Sequence, residues 1–179
     1  MITAANVPNM TDLFYHRWMI STVRYTVLAP NVYTAYGSEM DLFGLRKSGY
    51  CDEIEIKTTL SDFKADFKKT GKHGMNKHAS LANGTEMANY FSFLVPEDLY
   101  HKLCAKMLIP AHAGVYSVNE HGTITERIRA PKLHPRKISD RLIQSMTKKV
   151  MYRYWSERWG RHRSARAEQQ QQLRLVVNQ

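Results

Sequence analysis

An acidic residue followed two positions later by lysine occurs three times in this chain, as Glu55-Ile56-Lys57, Asp62-Phe63-Lys64 and Asp66-Phe67-Lys68. A carboxylate and an ammonium that meet at one point can hold a divalent cation and stabilise charge on a phosphate. The local backbone decides whether they meet. Positions two apart diverge on a helix and share a face on a strand. "SDFKADFKK" has helical periodicity, whereas "CDEIEIK" alternates as a strand does, so only Glu55 and Lys57 present acid and amine together.

The partner for Glu55 comes from the elements that must position it. "MDLFGLR" and "CDEIEIK" read as two strands joined by "KSGY". A three-residue loop with Gly49 in the left-handed conformation pairs Arg46 with Tyr50. Asp41 then falls opposite Glu55, Glu39 opposite Lys57 and Phe43 opposite Glu53, with Met40, Leu42, Ile54 and Ile56 facing the core. Glu53 takes a supporting role because Phe43 faces it. A two-residue turn at Ser48-Gly49 would instead set Asp41 opposite Ile56.

Two carboxylates directly across a strand pair repel and need compensation. One solution is a hard cation, Mg²⁺ or Mn²⁺, held by Asp41, Glu55 and the Ile56 backbone carbonyl. The other is a solvated polar face, with a Glu39–Lys57 pair contributing about 0.2 to 1 kcal/mol. The metal arrangement suits phosphodiester hydrolysis: bound water is acidified, and Lys57 stabilises charge gathering on phosphorus.

Around this hairpin, Asn9 or Thr11 caps a helix predicted to run to about Val27, with Phe14, Trp18, Tyr25 and Leu28 as an aromatic core stripe. Pro30 and Asn31 break it before a strand over Val32 to Tyr36. Ser61 caps a short helix, where Asp62 and Asp66 read as helix-dipole or salt-bridge residues. Thr70 to Asn89 reads as a long mobile loop. Tyr90 to Val95 reads as a buried strand, followed by a helix packed through Leu99, Leu103 and Met107. Ala113 to Val118 and Thr123 to Ile128 form a second hairpin around "NEHG". Ser139 to about Trp159 is an amphipathic helix, and the Gln-rich end beyond Gly160 reads as frayed or disordered. The alternation of helices and strands indicates an α/β or α+β domain around a mixed sheet.

Composition narrows the function classes. Two cysteines, Cys51 and Cys104, and no secretory leader pattern argue against a disulfide framework, so a cytoplasmic protein is expected. No apolar run approaches the ~20 residues that a membrane helix needs. The formal charge is +10. Met1 to Ala130 holds 14 Lys or Arg against 13 Asp or Glu, while Pro131 to Gln179 holds 12 against 3. A C-terminal basic segment suits a polyanion such as DNA. A solvated basic helix, or one that binds an acidic protein partner, is the alternative.

Asp41 with Glu55-Ile56-Lys57, on the expected hairpin, resembles the signature of the PD-(D/E)XK nuclease superfamily. The run from Glu39 to about Val118, roughly 80 of 179 residues, is similar to phage and bacterial DNA-repair-associated nuclease-like proteins. The resemblance implies a restriction-endonuclease-like core, a central four-stranded mixed sheet flanked by helices, over residues 1–130. A basic helical extension would follow over 131–168 and a Gln-rich tail over 169–179. It implies a metal-dependent DNA endonuclease, with Asp41, Glu55 and Lys57 catalytic and one or two Mg²⁺ or Mn²⁺ ions as the cofactor. No small-molecule cofactor is expected, and a homodimer is compatible with it. If phage-encoded, the protein would act in the host cytoplasm. Met40 replaces the motif's proline, and the leading helix offers only Asp12 for a second ion, with Glu39 as a substitute ligand. A non-cutting nucleic-acid-binding or defence-interfering protein on the same fold is the alternative.

The expected DNA contacts are Lys68, Lys69, Lys72 and His73 near the hairpin, and Lys148, Lys149, Arg153, Arg158, Arg161 and Arg163 along the C-terminal helix. Trp155 and Trp159 are expected to pack against the domain. His73 and His78, with Lys72 and Lys77, are phosphate or zinc candidates, although their spacing matches no strong zinc motif.

Overall fold

The computed structural model describes the backbone of residues 7–33, 39–70 and 74–177, and the side chains of 9–33, 39–70 and 74–161. It comprises two units, Met1–Ser139 and Asp140–Gln179. The first is built on a six-stranded mixed sheet in the order β1-β2-β3-β4-β5-β6: Tyr25–Tyr33, Glu39–Arg46, Cys51–Ile56, Tyr90–Pro96, Ala113–Val118 and Ile124–Ile128. β1, β2 and β3 form an antiparallel meander; β3, β4 and β5 run parallel; β6 returns antiparallel. The sheet is therefore α+β and mixed as expected, with six strands rather than four. The extra pair, β5 and β6, is the second hairpin.

The hairpin register is the one the turn chemistry favours. Leu42 pairs with Ile54, Phe43 with Glu53, Gly44 with Asp52 and Leu45 with Cys51. Arg46 N–H donates to Tyr50 O (2.8 Å) and Gly49 N–H to Arg46 O (3.0 Å), with Gly49 at φ +81°. Only glycine adopts that conformation without steric cost.

Alternation along the parallel strands sorts the side chains into two apolar layers. Ile54, Ile56, Leu94, Tyr116 and Val118 pack with Met10 and Phe14 of α1 (Val7–Tyr15). On the other face Phe91, Phe93, Val95 and Val115 pack with Phe63 of α2 (Leu60–Asp66), Leu81 of α3 (Lys77–Ala82), and Leu99 and Leu103 of α4 (Glu97–Ala105).

Several local expectations are corrected. The leading helix stops at Tyr15, continues as a π-helical turn over His16–Ser21, and gives way to β1. Tyr25 and Leu28 do join the core, but from a strand, because pairing with β2 supplies backbone partners that a longer helix would forgo. Pro30 lies within β1, which is tolerable on an edge strand. Of the strand expected over 32–36, Tyr33 is the last residue assigned, and 34–36 lie outside the described residues. Thr59, not Ser61, caps α2, accepting from Asp62 N–H at 3.1 Å. α4 ends before Met107, which is 91% exposed rather than packed. The supposed mobile loop holds α3, capped by Asn76, whose side chain accepts from Ala79 N–H (3.1 Å).

Residues 131–139 belong to the first unit. Asn89 fastens them: Leu133 N–H donates to its carbonyl (2.8 Å), and its carboxamide nitrogen donates to the carbonyls of His134 (3.0 Å) and Arg136 (2.6 Å). Its side-chain oxygen accepts from Cys51 N–H (2.9 Å). The second unit is a single helix, α5, Asp140–Val177. Its backbone stays helical beyond Gly160, where fraying was expected, because the Ala, Arg, Gln and Leu that follow favour helix and one glycine costs only about 1 kcal/mol. No helix among the described residues is long and apolar enough to cross a membrane.

Asn89→Ala strands the Cys51 amide and frees the 131–139 segment. It should lower the unfolding free energy by about 2 to 3 kcal/mol, measured as a shift in the urea midpoint with an unchanged slope.

Candidate metal and phosphate site

Glu53, Glu55 and Lys57 occupy alternate positions on or just beyond β3, on the face covered by α2 and α3, and all three are buried. Their burial rules out a solvated polar face. Buried charges require partners, and the two helices provide them. Lys77, on the first turn of α3, places its ammonium 2.6 Å from Glu53 and 2.5 Å from Glu55. Lys57 bridges Glu55 (3.0 Å) and Asp66 (2.9 Å), the latter at the end of α2. Lys69 also reaches Asp66 (2.6 Å) and Glu55 (3.5 Å), with half its side chain in solvent. His78 Nε2 lies 2.9 Å from Asp66, while its Nδ1 faces His112 Nε2 at 3.1 Å. His78 Nε2–H donates to the Asp66 carboxylate, an assignment made from the bonding pattern.

These contacts fix protonation. Burial works against ionisation, but Lys77 and Lys57 hold the Glu55 carboxyl below its usual range. His78 and Lys69 likewise outweigh burial at Asp66 and hold it well below. Lys57 and Lys77 are raised despite burial, Lys57 by Glu55 and Asp66, and Lys77 by Glu53 and Glu55, so both remain ammonium ions. Burial pushes Glu53 up against the pull of Lys77.

Asp41 differs from the other carboxylates. One of its oxygens accepts the Ile56 N–H at 2.8 Å, and the Leu42–Ile54 register continued by one pair sets Asp41 across from Glu55. Among the described residues it has no ion-pair partner, and burial followed by the charge on Glu55 pushes its carboxyl up to about 6. The local inventory is thus four carboxylates, Asp41, Glu53, Glu55 and Asp66, against three ammoniums, Lys57, Lys69 and Lys77. Among the described residues, Asp41 is the carboxylate of this group that no ammonium pairs with directly. Asp41, Glu55 and the Ile56 carbonyl are a hard-oxygen donor set suited to Mg²⁺ or Mn²⁺. Among the described residues no three His, Cys, Asp or Glu side chains converge as a ready-made metal cage. Glu39 is exposed at the start of β2.

Of the expected site residues, Lys57 pairs with Glu55 and Asp41 lies on the Ile56 amide, while Lys69, expected as a DNA contact, reaches Glu55 and Asp66. Lys68 is exposed on the helix side, and Lys72 and His73 lie outside the described residues. On α5, Lys148, Lys149, Arg158 and Arg161 are exposed and Arg153 is half-buried; the side chain of Arg163 is outside the described set. Trp155 and Trp159 are 58% and 62% exposed, contrary to the expectation that they pack. Lys77, Asp66, His78 and Glu53 carry more of the site than their sequence positions suggested. The available signal was Asn76, an N-cap residue ahead of "KHASLA" with Leu81 at core spacing.

The chain is similar in fold to the SPO1766 protein of unknown function from Silicibacter pomeroyi. Identity is 20%, the match covers 83% of this chain and 88% of that one, and the TM-score is 0.57. At this identity the likeness concerns the fold alone. No protein-family model matches the chain, and no curated protein does.

Two predictions follow from the charge pattern. Because the Asp41 carboxyl is raised in the folded state, the native protein binds more protons than the unfolded chain between about pH 4 and 6. Its contribution to stability therefore falls as pH rises through that window. Asp41→Asn keeps an acceptor for the Ile56 amide and removes the repulsion, so without metal it should melt higher at pH 8, by the equivalent of about 2 to 3 kcal/mol, and equally with wild type below pH 4. Lys77→Met leaves Glu53 and Glu55 buried without their cation and should cost about 3 to 5 kcal/mol at neutral pH, measured by calorimetry.

Proposed function

We propose that this protein is a metal-dependent DNA endonuclease of the PD-(D/E)XK type, cleaving phosphodiester bonds in phage biology or DNA repair. The observation that carries this reading is the Asp41–Glu55 pair: two carboxylates whose charges act on one another, one of them with no ion-pair partner among the described residues, beside the Lys57 ammonium. Asp41 and Glu55, with the Ile56 carbonyl, would hold Mg²⁺ or Mn²⁺. When bound there, the ion supplies an acidified water and neutralises phosphate charge. Glu55 and Asp66 hold Lys57 toward its ammonium form despite burial. Its role is to donate to a non-bridging phosphate oxygen as charge develops on it. Lys69, half in solvent at the same carboxylates, would meet the incoming phosphate first. Lys68 and the exposed cations of α5 are further candidates for DNA backbone contacts.

A second reading has its own observation. Lys57, Lys69 and Lys77 already balance Glu53, Glu55 and Asp66, and a chain with that network can use the fold to bind nucleic acid without cutting it.

Incubation of the purified protein with single-stranded, duplex and branched DNA, with Mg²⁺ or with EDTA, separates the two. Cleavage should require Mg²⁺ and fall on the order of 10²- to 10³-fold in Asp41→Asn and Lys57→Ala, with circular dichroism confirming that both fold. Equal cleavage by all three proteins would sink the site assignment. DNA retention with no metal-dependent product on any substrate would favour the binding reading.

A further inference from the structure

The end of the sheet opposite Lys57 carries a second basic feature, formed by residues the metal site does not use. Residues 129–139 contain Arg129, Lys132, Arg136 and Lys137 and no acidic residue. This segment is held in place: Asn89 anchors it at Leu133, His134 and Arg136, and Ile138 N–H donates to Gly49 O at 3.2 Å. The anchoring sets Lys132 Nζ 3.7 Å from the centre of the Tyr50 ring and Lys137 Nζ 5.7 Å from it. Tyr50 meets Tyr90 edge-on, with centres 6.5 Å apart at 84°. The Arg46 guanidinium lies 3.6 Å over Tyr90 and forms two bonds to Asp52, at 2.5 and 2.6 Å.

We propose that Tyr50, Tyr90, Arg46, Lys132 and Lys137 form a binding surface for single-stranded nucleic acid. Charge selects a polyanion: Asp52 is committed to Arg46, and Lys132 and Lys137 are exposed and form no ion pair with a carboxylate among the described residues. Order distinguishes the patch from an ordinary lysine-rich surface. Its backbone is fixed by four hydrogen bonds to Asn89 and Gly49, so less freedom is lost when phosphate arrives. Lys132 and Arg46 each cover one face of the half-buried Tyr50 and Tyr90 rings, and the ring surface left in solvent favours single strands, whose unpaired bases can stack on it whatever their sequence. Tyr50 lies about 17 Å along β3 from Glu55, at about 3.3 Å per residue. The surface is therefore separate from the metal and phosphate site, and it rests on the reading that the partner is nucleic acid, not on cleavage.

The test is fluorescence anisotropy of a labelled oligothymidylate and of a labelled duplex, in EDTA, across a salt series. The Lys132→Glu/Lys137→Glu double variant, altered only at exposed positions, should bind the oligothymidylate at least about tenfold more weakly. Its slope of log affinity against log salt should shrink by about 1.4, or about 0.7 for each of two phosphates. Tyr50→Phe should retain affinity, and Tyr50→Leu should lose about fivefold or more. If wild type binds and the charge-reversed variant binds equally well, this surface is overturned while the nuclease reading stands. Tighter binding of duplex than of single strand, with the same losses, overturns the single-strand assignment. Failure of wild type to bind either DNA overturns both readings, whereas absent cleavage with intact variant effects overturns the nuclease reading alone.

Discussion

Glu53, Glu55 and Lys57 sit on a strand with neighbours on both sides, on the face where two helices pack. That placement dictates much of the surrounding structure. A strand in that position loses water from both faces, and an ionised side chain removed from water costs several kcal/mol unless an opposite charge replaces the solvent. The chain between β3 and β4 has to return those charges. It does so with Asp66 and Lys69 at the end of α2, and with Lys77 and His78 at the start of α3. Phe63, Phe67 and Leu81 then seal the polar cluster against Phe91 and Phe93. The polar network and the apolar layer hold the same two short helices in place, so the site and the fold on that face form as one unit.

This coupling also explains which parts of the molecule were legible in the sequence. The β2–β3 register could be read because it depends on a glycine turn and on strict alternation, both local. The Asp41–Glu55 juxtaposition followed from that register. The identity of the counter-ions was not legible, because Lys77 is 22 residues from Glu55 and lies in a stretch whose glycines and asparagines suggest a loop. The failure at the first helix has a similar origin. Phe14, Trp18, Tyr25 and Leu28 do share one core, but a core contact is indifferent to whether a helix or an edge strand delivers it, and β2 decided in favour of the strand. α5 was placed correctly to Trp159. Its continuation depends on backbone propensity, which the glutamine-rich composition obscured.

Asp41 is the exception to the balanced network, and its position is instructive. Every other carboxylate in the cluster is nine-tenths buried or more and paired, whereas Asp41 stands at the rim on a backbone amide, facing Glu55. A protein selected for stability alone would place an amide or a hydroxyl there. Burial and the charge on Glu55 both work against ionisation of Asp41, and a cation bound beside it would relieve that cost.

The lysines bear on what such a cation would bring with it. Lys57 and Lys77 are held by two carboxylates each, which favour the ammonium form of both despite burial. On the proposed reading, a divalent metal would neutralise Asp41 and Glu55 while a phosphodiester would take up the donors on Lys57 and Lys69, so one complex would meet both the carboxylates and the ammoniums.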